Sequence, residues 1–520
     1  MSSDVDTIRA RKPRAFQLAT AITTSMSDVL LAKHNLSIFA AAFAVNAFAC
    51  LPLIFVNRPL LDDMGRSMVG YLDWAADGRP LASVFFYLIN LGKPAVDLAP
   101  FGQILALAIL AMACVSLAAA FRVRNPIQAA IGTLPLGANP YFLNNLSYQF
   151  DAPLMAAAVL CAVMAANTLT KAGGARFSSG LLLIAALMLY QPAASTFLVI
   201  IFFSIAIRSF HQENGFSFIF KKLGELLAVS IVSVGFYILA VSFKLNAYAI
   251  ENGSAWKLDE AVPGVWKNLS NYWWRIYEDW HTDFAALAAG LVIATALGSL
   301  LVSGPSRGVS QRVMAATCVI GAILFSLGPL LLLGDLNLLK PRIFLGLGAV
   351  LAVSSLQVLR VTSIGGAPRG VFNAILRLPV YGLAYSLIVI AYATAAAAAA
   401  QKEFEDSFLS RVAYDIDSVS NATTHTIGFI GSPPISPILA NTGRKYPVVL
   451  RTIPNPIADN WYWGHRKMQL YGVALGYGEV PDKLADSIRA GKLPATLSRR
   501  QYDIYILDEQ AIVRFKSVRD

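Results

Sequence analysis

Two adjacent carboxylates, Asp62 and Asp63, stand in a stretch that also holds arginines and aromatics: Asn57-Arg58-Pro59-Leu60-Leu61-Asp62-Asp63-Met64-Gly65-Arg66, continuing to Tyr71-Leu72-Asp73-Trp74-Ala75-Ala76-Asp77-Gly78-Arg79-Pro80. The stretch follows an apolar run, so these groups sit at a membrane surface and not in bulk water. A carboxylate there can act as a general base on a hydroxyl, and Arg58, Arg66 and Arg79 can bind a phosphate or diphosphate. The same charges would also serve to anchor the preceding run among lipid headgroups. The length of the loop, and the following segment Leu81–Leu91 with the pattern of an amphipathic interfacial helix, favour a site. A divalent cation, Mg or Mn, is the one cofactor left open, with no ligands assigned to it.

A second cluster reads Asn139-Pro140-Tyr141-Phe142-Leu143-Asn144-Asn145-Leu146-Ser147-Tyr148-Gln149-Phe150-Asp151. So many amides and hydroxyls with one carboxylate beside apolar helices are costly unless they bond a partner or a ligand. Helix capping by Asn144 or Asp151, with Tyr148 in an interfacial belt, accounts for single residues but less well for the whole. A third stretch, Gly334-Asp335-Leu336-Asn337-Leu338-Leu339-Lys340-Pro341-Arg342, offers Lys340 and Arg342 to a lipid phosphate or to anionic headgroups. The aromatic run Tyr272–His281 suits sugar stacking, and suits an interfacial belt somewhat better. His425 and His465 lie far from any acidic cluster, and no HExxH, GxSxG, P-loop or GxGxxG fingerprint occurs.

These residues must be positioned by elements in a bilayer. Of 520 residues, 56% are hydrophobic and only 14% charged, a composition that excludes disordered and nucleic-acid-binding classes. The formal charge of +11 arises from 42 Lys+Arg against 31 Asp+Glu, and the basic residues fall in short clusters between apolar runs, the pattern that sorts loops across a membrane. About eleven spans of roughly 20 residues are expected: 37–57, 97–121, 126–143, 152–170, 178–190, 192–208, 223–243, 283–303, 313–333, 343–359 and 379–400. The break at Gln191-Pro192 reads either as a kink or as a tight return. The four cysteines lie in apolar runs and read as core filler.

Arg9–Arg14 with Lys33, then Arg122/Arg124, Lys171/Arg176, Arg208/Lys221/Lys222, Arg307/Arg312 and Arg360/Arg369/Arg377 mark one side as cytoplasmic. Residues 1–36 are then a basic cytoplasmic N-terminus followed by a retained first span, 37–400 a transmembrane catalytic body, and 401–520 an outer segment. That tail regains charge, Pro and Gly. Strands are expected at His425–Ile430, Pro447–Ile453 and Asp503–Leu507 and a helix at Pro481–Ala490, making a soluble α/β domain of about 120 residues. The fold class is thus an all-α polytopic membrane protein with a C-terminal α/β domain.

The motifs Leu61-Asp62-Asp63-Met64-Gly65-Arg66, Gly70-Tyr71, Gly78-Arg79-Pro80-Leu81 and Asn139 to Asp151 resemble the Gtr-type serotype-converting O-antigen glucosyltransferases of bacteria and their phages. The resemblance covers the first third of the chain well and the rest in layout. It implies a GT-C-type fold in the bacterial inner membrane and inverting transfer of a hexose, glucose, from a polyprenyl-phosphate-linked sugar to a surface glycan such as O-antigen on the periplasmic face. Membrane lipids are expected partners and nucleic acid is not. Asp62 or Asp63 is then the base, with Asp62 preferred. Tyr148, Gln149 and Asp151 contribute to the sugar or acceptor site, and Arg342 with Lys340 meets the lipid phosphate. An enzyme outside the cytoplasm has no nucleotide sugar to draw on, which fits the lack of a nucleotide-binding fold. A lipid-linked sugar flippase, or an O-antigen ligase or polymerase, is the competing reading.

Overall fold

The computed structural model describes residues 33–516 except 171–175, 210–214, 282–283, 303–308, 335, 337–339 and 365–369. Arg9–Arg14, Lys171, Arg307, Asp335 and Arg369 lie outside the described residues. In chain order the helices are α1 Lys33–Phe55, α2 Leu61–Val69, α3 Pro80–Ile89, α4 Phe101–Ala120, α5 Pro126–Thr133, α6 Pro140–Ser147, α7 Ala152–Thr170, α8 Arg176–Leu189, α9 Ala193–Ser209 and α10 Gly215–Val241. They continue with α11 Ala247–Gly253, α12 Ala261–Trp280, α13 Phe284–Val302, α14 Val309–Leu324, α15 Leu345–Ile364, α16 Gly370–Val419, α17 Pro437–Lys445, α18 Pro447–Thr452, α19 Trp463–Gln469 and α20 Asp482–Arg489.

The architecture is predominantly helical. Among the described residues seven helices, α1, α4, α7, α10, α13, α15 and α16, are long and apolar enough to cross a membrane, while α8, α9 and α14 are apolar but shorter. Helix α7 is the hub, packed against α4, α8 and α9. The expected span 126–143 is not one helix. Pro135, Gly137 and Pro140 break it into α5, a 3-10 turn at Leu134–Leu136, and α6. Asn139 repairs the break: its side chain accepts from the N–H groups of Tyr141 and Phe142, both at 3.0 Å, and donates to the Pro135 carbonyl at 2.6 Å. Asn139→Ala is therefore expected to cost about 0.5–2 kcal/mol of stability, read as a lowered thermal midpoint in detergent.

The basic and polar loops separate to opposite ends of this body. At one end the Arg208 guanidinium donates to the Thr170 carbonyl, Lys222 donates to Leu169 at 2.9 Å and Arg176 pairs with Glu225 at 2.8 Å. Arg122 and Arg360 lie within Coulombic reach of Arg208. At the other end Tyr190 donates to the Arg342 carbonyl at 3.0 Å, and Gln191 and Tyr237 donate to the Gly78 carbonyl at 3.3 and 3.0 Å. The C-terminus of α9 thus returns to the end where α8 begins, so the break at Gln191-Pro192 is a return and not a kink.

Helix α16 runs unbroken from Gly370 to Val419, past the end of its apolar stretch, and its last turns carry a second core. Phe408, Leu409, Val412 and Ile416 pack on Ile427, Phe429, Tyr502, Ile504, Val513 and Phe515. The strands are β1 Thr426–Ile430, β2 Gly476–Tyr477, β3 Leu497–Ser498, β4 Tyr502–Leu507 and β5 Gln510–Phe515, in the order β2-β1-β5-β4-β3. β1 runs parallel to both neighbours, and the β3–β4 and β4–β5 pairs are antiparallel. The expected strand at Pro447–Ile453 is instead helix α18. Pro447 opens it, and Val448, Val449 and Ile453 are drawn into the core of the helical body; this packing overrides β propensity.

Candidate active site

The loop after α1 folds back on the α6–α7 junction around a small aromatic core. Trp74 and Phe86 lie 5.1 Å apart and Phe86 and Phe150 5.4 Å, centroid to centroid, with Ala82, Ala95 and Leu154 around them. This packing brings the two polar clusters of the sequence together. Asp151 is its electrostatic centre: it accepts from Arg66 at 3.0 Å, Arg79 at 2.9 Å and the Trp74 indole N–H at 2.8 Å. The Arg66 guanidinium also lies over the Trp74 ring, 4.2 Å from its centroid. Burial alone would raise the Asp151 carboxyl, but the charges of Arg66, Arg79 and Arg342 hold it below the usual carboxylate range.

The two adjacent carboxylates have separate fates. Asp63 is fully buried and accepts from the N–H groups of Leu60 at 3.2 Å, Gln149 at 3.1 Å and Phe150 at 3.3 Å. It fastens the start of α2 to the Asp151 loop. Asp62, one residue earlier on the helix, faces another direction and is partly exposed. Among the described residues no side chain or N–H bonds its carboxylate. Its charge acts instead on Arg66, Tyr71, Tyr148 and Arg342.

Burial, followed by the neighbouring Asp151 charge, pushes the Asp63 carboxyl up to about 8, against the pull of the Gln149 and Phe150 N–H groups and of Arg66. An acid whose pKa is higher folded than unfolded contributes stability that is full below its unfolded value. That contribution is lost as pH rises through the folded one. Unfolding midpoints are therefore expected to fall from about pH 4 to about pH 8, and Asp63→Asn to flatten that component.

Arg342 stacks on Tyr148, with its guanidinium 4.3 Å from the ring centroid, and among the described residues it makes no ion pair. Its charge lies within Coulombic reach of Asp62 and Asp151 without a direct contact to either. Lys340 stands immediately before the 3-10 turn Pro341–Ile343 that carries Arg342. Gln149 donates to Asn57 at 2.7 Å, and its buried Oε1 has no hydrogen-bond partner among the described residues.

Arg58, the remaining arginine of the first loop, is engaged elsewhere. It pairs with Glu405 at 2.8 Å and donates to the Pro454 carbonyl at 2.9 Å, and Lys467 reaches the same Glu405 at 2.9 Å. Asp63 is saturated by N–H donors, and among the described residues no group of three or more His, Cys, Asp or Glu is placed to hold an ion.

Sequence reasoning missed a second layer of residues. Asp279 on α12 accepts from Tyr141 at 3.0 Å and pairs with Arg451 of α18, and Tyr141 stacks on Phe344 at 4.8 Å. The run Trp461-Tyr462-Trp463 lies against α2: a Cβ added at Gly65 would stand 3.2 Å from the Trp463 ring and 2.7 Å from the Tyr71 hydroxyl. A cluster of three aromatics in an otherwise polar tail was the available signal.

The fold and site define a polytopic membrane protein whose uncommitted carboxylate, fixed arginines and aromatic rings gather at one end of a helical body, equipment suited to group transfer onto a hydroxyl. The family model for glucosyl transferase GtrII matches residues 51–353, more than half of the chain, and the chain belongs to that family. It is 26% identical over 491 residues to an uncharacterised 55.3 kDa protein of Salmonella phage P22 from the gtrB 5′ region, covering 92% of this chain and 98% of that protein. No solved structure gives a significant match. The protein is thus a membrane glycosyltransferase, and its family implies a sugar donor and a glycan acceptor.

Proposed function

We propose that this glucosyltransferase moves glucose from a polyprenyl-phosphate carrier to O-antigen or a related surface glycan, with inversion, at the periplasmic face of the bacterial inner membrane. Asp62 is the base that takes the acceptor hydroxyl proton. Arg342, carried on the turn that follows Lys340, meets the departing lipid phosphate. Asp151 and Asp63 position this pair without reacting, and residues 401–520 extend over the outer side as a soluble segment.

The supporting observation is the contrast at one end of the helix bundle. Asp63 and Asp151 have their oxygens filled by protein donors, while the Asp62 carboxylate is open and lies in the field of Arg342. A base must keep its oxygens available to the proton it takes. Charge developing on the leaving phosphate is stabilised by cations that need no reorganisation when it forms, and stacking on Tyr148 holds Arg342 in that state. A donor embedded in the membrane also fits a site bordered by apolar helices.

The direct test is transfer in proteoliposomes. Purified protein, polyprenyl-phosphate glucose and polysaccharide acceptor are expected to yield glycan heavier by one hexose in mass spectrometry. Transfer that required a nucleotide sugar instead, with the lipid-linked donor inert, would overturn the reading.

A further inference from the structure

We propose that Trp461, Tyr462 and Trp463 form a carbohydrate-stacking ledge that holds the acceptor glycan beside Asp62, so that the C-terminal segment supplies part of the acceptor subsite. The proposal rests on the glucosyl-transfer reading above and adds where the acceptor lies.

Three observations carry it. The first is placement. Trp463 and Tyr71 both close on Gly65, Tyr462 lies within Coulombic reach of Tyr71, and the Tyr71 hydroxyl reaches the Asp62 carbonyl at 3.5 Å. The aromatic run is therefore next to the helix that carries the open carboxylate, about four hundred residues away in sequence.

The second is exposure. Tyr462 is 43% exposed, Trp461 and Trp463 are half-buried, and neither indole N–H donates to a protein group among the described residues. The exposed Tyr462 ring, whose hydroxyl accepts from Arg466 at 3.1 Å, and the two unengaged indole N–H groups match the C–H faces and hydroxyl rims of a pyranose ring. The Tyr462 ring is itself fixed, with His465 edge-on at 4.6 Å and Trp463 at 5.3 Å, so little side-chain entropy remains to be lost on binding.

The third is attachment. Buried Glu405 holds both Arg58, at the root of the first loop, and Lys467, on the helix that begins at Trp463. Removing one partner of a buried pair leaves a charge uncompensated, so the triad resists separation of α19 from the first loop. The arginine that the sequence pointed toward substrate thus fastens the ledge to the site.

The test uses full-length protein in proteoliposomes with polyprenyl-phosphate glucose and polysaccharide acceptor, comparing Trp461→Ala, Tyr462→Ala and Trp463→Phe. Trp463→Phe removes the indole N–H and the outer ring whose Cζ3 faces Gly65 but keeps an aromatic ring on the same Cβ, so it remains informative if the alanine variants unfold. The expected result is an acceptor KM raised about tenfold, equivalent to the loss of one stacking contact, with donor KM within twofold of the parent. Unchanged acceptor KM in folded variants would overturn the ledge, and so would a rise in donor KM alone, which would mark these rings as contacts to the lipid carrier. If the parent itself transfers no hexose under these conditions, it is the transfer reading that fails.

Discussion

Asp62→Asn is expected to lower hexose transfer by about 10²–10⁴-fold, the usual contribution of a positioned general base, while leaving the thermal midpoint within a degree or so of the parent. The second half of the expectation follows from geometry. No protein donor among the described residues is bonded to the Asp62 carboxylate, so its amide isostere breaks no hydrogen bond and gives up only longer-range attraction to Arg66 and Arg342. Asp63→Asn provides the contrast: its amide keeps an acceptor oxygen for the backbone N–H groups that Asp63 holds, and it stands outside the reacting groups, so transfer persists. The measurement is turnover of both variants in proteoliposomes alongside unfolding in detergent. Retained turnover in Asp62→Asn, or a loss confined to Asp63→Asn, would reassign the base.

Asp151→Asn is expected to fail in the opposite way, through the fold. The carboxylate neutralises Arg66 and Arg79, whose side chains are only 3% and 13% exposed. After substitution Arg66 would remain in place, desolvated and without its ion-pair partner, and Arg79 would keep only Asp77, at 3.4 Å. Breaking a buried pair by removing one member costs about 3–5 kcal/mol, a large part of the stability of any domain. The Trp74 indole would also lose an anionic acceptor. Because Arg66 and Asp62 share helix α2, loss of that anchor displaces the base as well, and activity falls with stability. A lowered midpoint in Asp151→Asn, partly recovered by adding Arg66→Met to remove the stranded charge, would verify the assignment; an unchanged midpoint would refute it.

Much was legible in the chain. Charge clusters alternating with apolar runs specify a polytopic membrane protein, because each element must satisfy its backbone internally and each basic loop prefers one side. The polar clusters at 58–80 and 139–151 were recognisable because amides and carboxylates beside apolar helices are costly without partners. Local chemistry also located β1, β4 and α20 closely, since their alternation or amphipathic pattern is complete within a few residues.

What the chain alone left open was the function of each charge. Asp62 and Asp63 are chemically identical neighbours, and the backbone N–H groups of Gln149 and Phe150, brought across from another helix junction to join that of Leu60, distinguish the open carboxylate from the saturated one. Arg58 and Arg66 look equivalent in the loop, yet Glu405 draws one into an ion pair with the tail and Asp151 draws the other into the site. The segment Pro447–Ile453 has the composition of a strand and becomes a helix because the body offers its apolar face a surface to pack against. Sequence by itself determined the class of the protein, its family and the residue types available for chemistry, since hydropathy and charge are properties of single residues and short windows. Tertiary structure alone decided which carboxylate is free, which arginines are already neutralised and which aromatics stand beside them, because an ionised group is defined by its partners and these partners lie tens to hundreds of residues away.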